Sequence, residues 1–182
     1  MQTQELVRTR PMSNIGFRFM SLGFKFRDFV KPRMSILEEA GIKEGFHVLD
    51  YGCGAGSYVV PLAELAGKSG KIYALDTHPL AIQEIQRLVS KKRLDNVQTI
   101  LSDCKTGLPS NSIDLVLLYD VFHGLNNASA VLTELHRVLK PKGVLSFNDH
   151  HMKEAEIVSQ ITSGGLFQLS AKGKRTYSFL RE

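Results

Sequence analysis

Val48-Leu49-Asp50-Tyr51-Gly52-Cys53-Gly54-Ala55-Gly56 joins a short apolar run to three glycines at alternate positions. The run reads as a strand over Val48 to Asp50, and a helix follows from Tyr58 to Ala66, ended by Gly67 and Gly70. A strand, a glycine loop and a helix in that order open a parallel α/β sheet, and ligands of such sheets bind beyond the carboxyl ends of the strands. Glycine lets the loop turn sharply and approach a ligand where a Cβ would intrude.

Working downstream, short β-rich runs alternate with helical ones. Lys71-Ile72-Tyr73-Ala74-Leu75-Asp76 is a second strand. Pro79 then stands at a first helical position, with Ile82, Ile85, Leu88 and Val89 as the buried stripe of the helix. Val97 to Leu101 is a third strand, and Ile113-Asp114-Leu115-Val116-Leu117-Leu118 a fourth, apolar enough to be covered on both faces. Val131, Leu132, Leu135, Val138 and Leu139 line the next helix, which Pro141 and Gly143 are expected to end before a fifth strand at Val144 to Phe147. A helix around Glu154–Ile161 and a hairpin of Leu166–Ala171 with Thr176–Leu180, joined near Gly173, close the chain. Repeated β-α units imply right-handed crossovers and a mostly parallel sheet with helices on both faces.

Upstream, residues 1–45 form a different unit, expected to be a helical segment capping the pocket of the domain at 46–182. Phe17, Phe19, Met20, Phe24, Phe26 and Phe29 alternate with Arg18, Lys25 and Arg27, and Pro32 opens a short helix through Ala40, stopped by Gly41. A basic–aromatic stretch also suits nucleic acid or a membrane surface. The formal net charge of +5 is moderate and its cations are scattered, so no nucleic-acid partner is expected.

A chain of 182 residues buries roughly 70% of its unfolded surface and needs no staple. Cys53 and Cys104 are too few for a disulfide framework, a four-cysteine zinc site or a thiolate cluster of the arsenite-binding kind. No apolar run approaches the roughly 20 residues of a transmembrane helix, and no signal-peptide h-region is visible, so a cytoplasmic location is the default.

The glycine loop alone does not choose its ligand. A dinucleotide pattern needs glycine at position 57, where Ser57 stands, and no Lys-Ser/Thr pair of a phosphate loop follows Gly56. A purely structural turn is the plainer alternative. Asp50 separates these options, because a carboxylate before the glycines repels a pyrophosphate but suits the ammonium and sulfonium charges of S-adenosylmethionine. Asp76 ends the second strand, where an acid accepts from ribose hydroxyls, and Asp103 ends the third, where it accepts from an adenine amine.

With those residues in view, residues 46–147 resemble the methyltransferase domain (type 11) of the ubiquinone/menaquinone biosynthesis family, within the Rossmann-like, class I S-adenosylmethionine-dependent methyltransferases. The stretches that carry the resemblance are Val48 to Gly56, Ala74-Leu75-Asp76, Ser102-Asp103, Ile113 to Val116 and Glu134-Leu135-His136-Arg137-Val138-Leu139-Lys140-Pro141-Lys142-Gly143. The resemblance implies a three-layer sandwich around a seven-stranded sheet of order 3-2-1-4-5-7-6, its closing hairpin antiparallel. It further implies that the loop holds the methionine part of the cofactor, Asp76 the ribose and Asp103 the adenine, with S-adenosylhomocysteine as product. The full cofactor-binding set is then Asp50, Gly52, Cys53, Gly54, Gly56, Asp76, Thr77, Asp103, Cys104 and Tyr119.

Methyl transfer from a sulfonium is an in-line displacement that proximity and a dry pocket can drive. An amine or phenol acceptor adds the need for a base. Tyr119, Asp120 and His123, after the fourth strand, are the catalytic candidates, with His150 and His151 after the fifth; His136 reads as structural. Asp120, Asn148 and Asp149 could alternatively converge on a divalent ion, but the expectation is no metal. The expected activity is methylation of a small, apolar or aromatic acceptor; the alternatives are a non-catalytic cofactor-binding module, a protein or RNA methyltransferase, and a nucleotide-dependent oxidoreductase. Oligomeric state and acceptor identity are not readable from the chain.

Overall fold

A computed structural model describes residues 13–17 and 34–182. After a helical turn at residues 14–17, the elements run α1 (Met34–Glu39), β1 (His47–Tyr51), α2 (Val59–Ala66), β2 (Lys71–Asp76), α3 (Pro79–Lys92), β3 (Val97–Leu101) and β4 (Ile113–Tyr119). A short 3-10 turn at Phe122–Gly124 precedes α4 (Ala128–Val138), β5 (Leu139–Asn148), α5 (Glu154–Thr162), β6 (Phe167–Lys172) and β7 (Tyr177–Arg181). The seven strands hydrogen-bond in the order β3-β2-β1-β4-β5-β7-β6, parallel through β5, with β7 and β6 antiparallel. This is the order that the family resemblance implied.

Period-two alternation along the strands divides the apolar side chains between two cores. Val48, Ile72, Leu115 and Leu117 face Ile36 and Leu37 of α1 and Leu62 and Ala66 of α2. Leu49, Leu75, Val116, Leu118 and Phe147 face Val131, Leu132 and Leu135 of α4 and Ile157 and Ile161 of α5. β4 lies in the middle of the sheet with Leu115 to Leu118 at most 1% exposed, which is why its sequence is a near-continuous apolar run.

Three features differ from expectation. α4 ends at Val138, and Leu139 already pairs with Ile113 as the first residue of β5. Pro141 and Gly143 therefore lie inside that strand, at the register shift between Ile113 and Leu115, where a lost ladder bond is tolerated. Of the α3 stripe, Ile82 and Ile85 are buried, whereas Leu88 and Val89 are half-buried. Tyr58 precedes α2 rather than starting it.

Of the basic–aromatic stretch, only Phe17 falls among the described residues; Arg18 to Phe29 and Pro32 lie outside them. Among the described residues no helix is long and apolar enough to cross a membrane.

Candidate functional site

The glycine loop leaves β1 and is tied at once to β2, since the N–H groups of Gly52 and Cys53 both donate to the Leu75 carbonyl, at 2.8 and 2.9 Å. Gly52 has φ +81, and a Cβ there would come 2.8 Å from Cγ2 of Val121, the residue that follows Asp120 after β4. Gly54 has φ +50, and a Cβ there would meet nothing within 4 Å, so its free face is open. Gly56 instead packs on Ile85 of α3, closing the helix onto the sheet. Cys53 is buried with its thiol pushed up by burial, a packing residue of the loop.

Two acids meet under this loop. Asp50 is 2% exposed, and its Oδ2 has no hydrogen-bond partner among the described residues. Burial, and then the nearby charge of Asp76, push its carboxyl up to about 7. Asp76 Oδ2 accepts from the Gly54 N–H at 2.9 Å and Oδ1 from the His78 N–H at 2.8 Å. The ring of His78 caps α3 by accepting from the Leu80 N–H at 3.1 Å, so Asp76 positions the cap without being it. Phe17 is buried against that ring, stacked with centroids 4.6 Å apart. Thr77 is exposed beside Asp76.

Asp103 is exposed at the end of β3, and its carbonyl accepts from the Tyr51 hydroxyl at 3.0 Å, which ties its loop to β1. Cys104 is half-buried next to it. These residues fit an S-adenosyl ligand: a buried acid lacking a partner suits an ammonium or sulfonium, and the open face of Gly54 admits close approach. Asp76 and Asp103 then stand along the successive strand ends β2 and β3.

Tyr119 ends β4 with its side chain buried. Its hydroxyl is 2.7 Å from Ser146 Oγ, its ring packs edge-on to Tyr58, and burial pushes its phenol far up. It lies in the α1–α2 core, because β4 turns alternate side chains to alternate faces.

The remaining candidates pair across the ends of β4 and β5. Asp149, 4% exposed, accepts from the backbone N–H of His123 at 3.1 Å and lies 2.9 Å from its Nδ1; it also accepts from the His151 N–H at 3.1 Å. Burial opposes ionisation of Asp149, but these bonds from His123 and His151 outweigh it and hold the carboxyl below its ordinary value. An ionised carboxylate only accepts, so in the neutral ring the His123 proton sits on Nδ1 and the lone pair on Nε2. Asp120, left-handed at φ +54, places Oδ1 2.7 Å from His150 Nδ1. The ring of His151 lies between the other two, 4.2 Å from His123 and 3.8 Å from His150.

Asp120, Asn148 and Asp149 line one cavity but each is engaged by a different partner. Asp120 serves His150, Asp149 serves His123, and Asn148 donates through Nδ2 to the Arg175 carbonyl. Among the described residues no three His, Cys, Asp or Glu side chains are placed together to hold a metal ion. A cavity of about 560 Å3 opens at this edge, between the Asp120, Asp149 and His150 wall and the β6–β7 turn.

Reading the strand ends separately finds His123 and Asp149 but not their pairing, which needs β4 and β5 to be neighbours in register. Phe17 on His78, and the contribution of the β6–β7 turn to the cavity, have no signal in the chain.

A fold of this topology with an unpartnered acid before a glycine loop defines a class, and the comparisons place the chain in it: residues 42–179 match the methyltransferase domain family, to which the chain belongs. S-Adenosylmethionine is the cofactor of that class. The chain is 30% identical over 146 residues to the demethylmenaquinone methyltransferase of Geobacillus stearothermophilus, covering 79% of this chain and 62% of the relative. It is 33% identical over 105 residues to the aklanonic acid methyltransferase of Streptomyces sp. (strain C5), covering 57% and 47%. Among solved structures, an S-adenosylmethionine-dependent methyltransferase from Aquifex aeolicus superposes with a TM-score of 0.74 at 28% identity, covering 88% of this chain and 97% of that one. The chain thus spans less than two thirds of the length of these curated relatives.

Proposed function

We propose that this chain transfers a methyl group from S-adenosylmethionine to a small acceptor of apolar or aromatic character. The observation that carries the reading is Asp50: a buried carboxyl with an unpartnered oxygen, immediately before the glycine loop, whose ionisation a cationic ligand would offset. The similarity to methyltransferases of a quinone precursor and of a polyketide acid supports a small-molecule acceptor.

In this reading Asp50 and the Gly52–Gly56 loop hold the methionine part of the cofactor. Asp76, beside Thr77, holds the ribose, and Asp103 with Cys104 bounds the adenine. Phe17, at the end of the helical turn at 14–17, packs on His78 at the start of α3 and adds apolar surface beside Asp76. When bound, the cofactor supplies an electrophilic methyl group whose bonding electrons stay on sulfur. His123 takes the acceptor's proton at Nε2, and Asp149 holds the ring in the tautomer that leaves that atom free. Ile36, Met152, Ile157 and Tyr177 give the cavity at this edge apolar surface for the acceptor to lie on.

The test is thermal unfolding with S-adenosylmethionine, S-adenosylhomocysteine and NAD added separately. A ligand at a hundredfold excess over its dissociation constant adds about 2.7 kcal/mol. Stabilisation by the two S-adenosyl ligands, lost in Asp76→Ala, is expected; stabilisation by NAD alone, or by none, would sink the reading.

A further inference from the structure

The cavity at the β4–β5 edge has one wall that the methyl-transfer reading leaves unexplained. Lys174 and Arg175 line it from the turn between β6 and β7. The backbone of that turn is clamped from both sides. Glu39, at the end of α1, accepts through Oε2 from the Arg175 N–H at 2.9 Å and from the Thr176 N–H and hydroxyl at 3.1 Å each. From β5, Asn148 donates to the Arg175 carbonyl. Gly173 is required by the same clamp, since a Cβ there would lie 2.3 Å from that Glu39 oxygen.

The cations this clamp presents are left without carboxylate partners. Lys172, on β6 just before the turn, is by contrast paired with Glu154. Neither the Lys174 ammonium nor the Arg175 guanidinium makes an ion pair or side-chain hydrogen bond among the described residues, although Arg175 lies within electrostatic reach of Glu39. The two acids that share the cavity with them, Asp120 and Asp149, are each held by an imidazole instead. Ile36, Met152, Ile157 and Tyr177 supply apolar surface between the two walls. A pocket with a fixed cationic rim, an apolar middle and an imidazole–carboxylate end is complementary to an aromatic ring carrying an anionic group on one side and a protic group on the other. Arginine's planar fork favours a carboxylate as that anion.

Resting on the methyltransferase reading, we propose that the acceptor is a small aromatic acid, its carboxylate received by Lys174 and Arg175 and its reacting group turned toward the imidazoles. The pair sets substrate specificity by charge, and the Glu39–Asn148 clamp sets where that charge stands.

The experiment is calorimetric titration of the full chain, saturated with S-adenosylhomocysteine, with 1-hydroxy-2-naphthoate, 1-naphthol and 1-naphthyl phosphate. Wild type is expected to bind the hydroxynaphthoate about tenfold or more tighter than the naphthol, and tighter than the phosphate, as charge-assisted bonds to a planar carboxylate require. In Lys174→Gln/Arg175→Gln that preference should fall to about threefold or less, with affinity for S-adenosylhomocysteine unchanged as the control for folding. Equal binding of acid and naphthol, no binding of the acid, or a preference that survives the double substitution each overturns the proposal. Tighter binding of the phosphate overturns the carboxylate assignment. Failure of S-adenosylhomocysteine to bind wild type removes the underlying reading instead, so the two failures are told apart in one titration series.

Discussion

Asp149 bonds His123 twice, through the backbone N–H at 3.1 Å and at ring Nδ1 at 2.9 Å, so one buried carboxylate fixes both the position and the tautomer of one imidazole. Residues acting as such a unit give non-additive losses. His123→Gln and Asp149→Asn should each lower labelled methyl transfer to an accepted aromatic acid by about 10- to 100-fold, the double variant no further. Affinity for S-adenosylhomocysteine should stay within about twofold, because neither residue touches the glycine loop. A full rate in either variant would remove His123 as the base.

Asp50 gives a pH dependence of defined sign. Its carboxyl is raised to about 7, and a ligand ammonium favours the ionised form. The dissociation constant of S-adenosylhomocysteine should therefore fall as pH rises from 6 to 8, and Asp50→Asn should flatten that slope and weaken binding about tenfold or more. The ligand-free protein behaves oppositely. A raised folded value means stability is lost as pH climbs from 3.8 through 7, so Asp50→Asn should make the apo form about 1–2 kcal/mol more stable at pH 8. Denaturant melts at pH 5 and 8 with and without ligand check both signs.

Gly52 and Gly54 should fail differently. Alanine at 52 collides with Val121 in a left-handed backbone, so Gly52→Ala should lose about 2–3 kcal/mol of stability, partly recovered by Val121→Ala. Alanine at 54 meets open space and should cost only about 1 kcal/mol of strain. Its methyl group would instead occupy the face offered to the cofactor, so ligand binding should fall while the fold persists. Chemical denaturation and calorimetry on the same two variants separate the effects.

Away from the site, Glu134 holds the loop before β4 to α4. It receives a two-pronged bond from Arg137, 2.8 Å at each oxygen, and bonds from the Thr106 N–H and hydroxyl. The Arg137 bonds, more than offsetting burial, lower its carboxyl from 4.5 to about 2. A lowered folded value contributes stability that is complete above pH 4.5 and disappears as pH falls toward 2. Glu134→Gln should cost about 2 kcal/mol at pH 7 and flatten acid denaturation between those limits, measured by urea melts across pH.

Much of this fold was legible because local rules and global topology agree. An apolar run buried on both faces, β4, cannot be mistaken for a surface strand, and glycines before α2 mark the strand end where ligands bind. The misreading at Leu139 arose from a helix stripe and a strand sharing one apolar residue at their junction. Local pattern cannot divide them; pairing with Ile113 does. Tyr119 was legible as a strand-end residue but not as a core one, since which face an end residue takes depends on where the strand stops.

By itself the chain determined the sheet, the glycine loop and the three acids at successive strand ends, because each is a local event: a period, a turn or a terminus. Only the tertiary structure decided which of those groups share an environment. Asp149 meets His123 across 26 residues because β4 and β5 are parallel neighbours, and Glu39 meets Arg175 across 136 because α1 packs over the edge that β7 completes. Contacts of that separation carry no local signature, since they follow from the order of strands in space rather than along the chain.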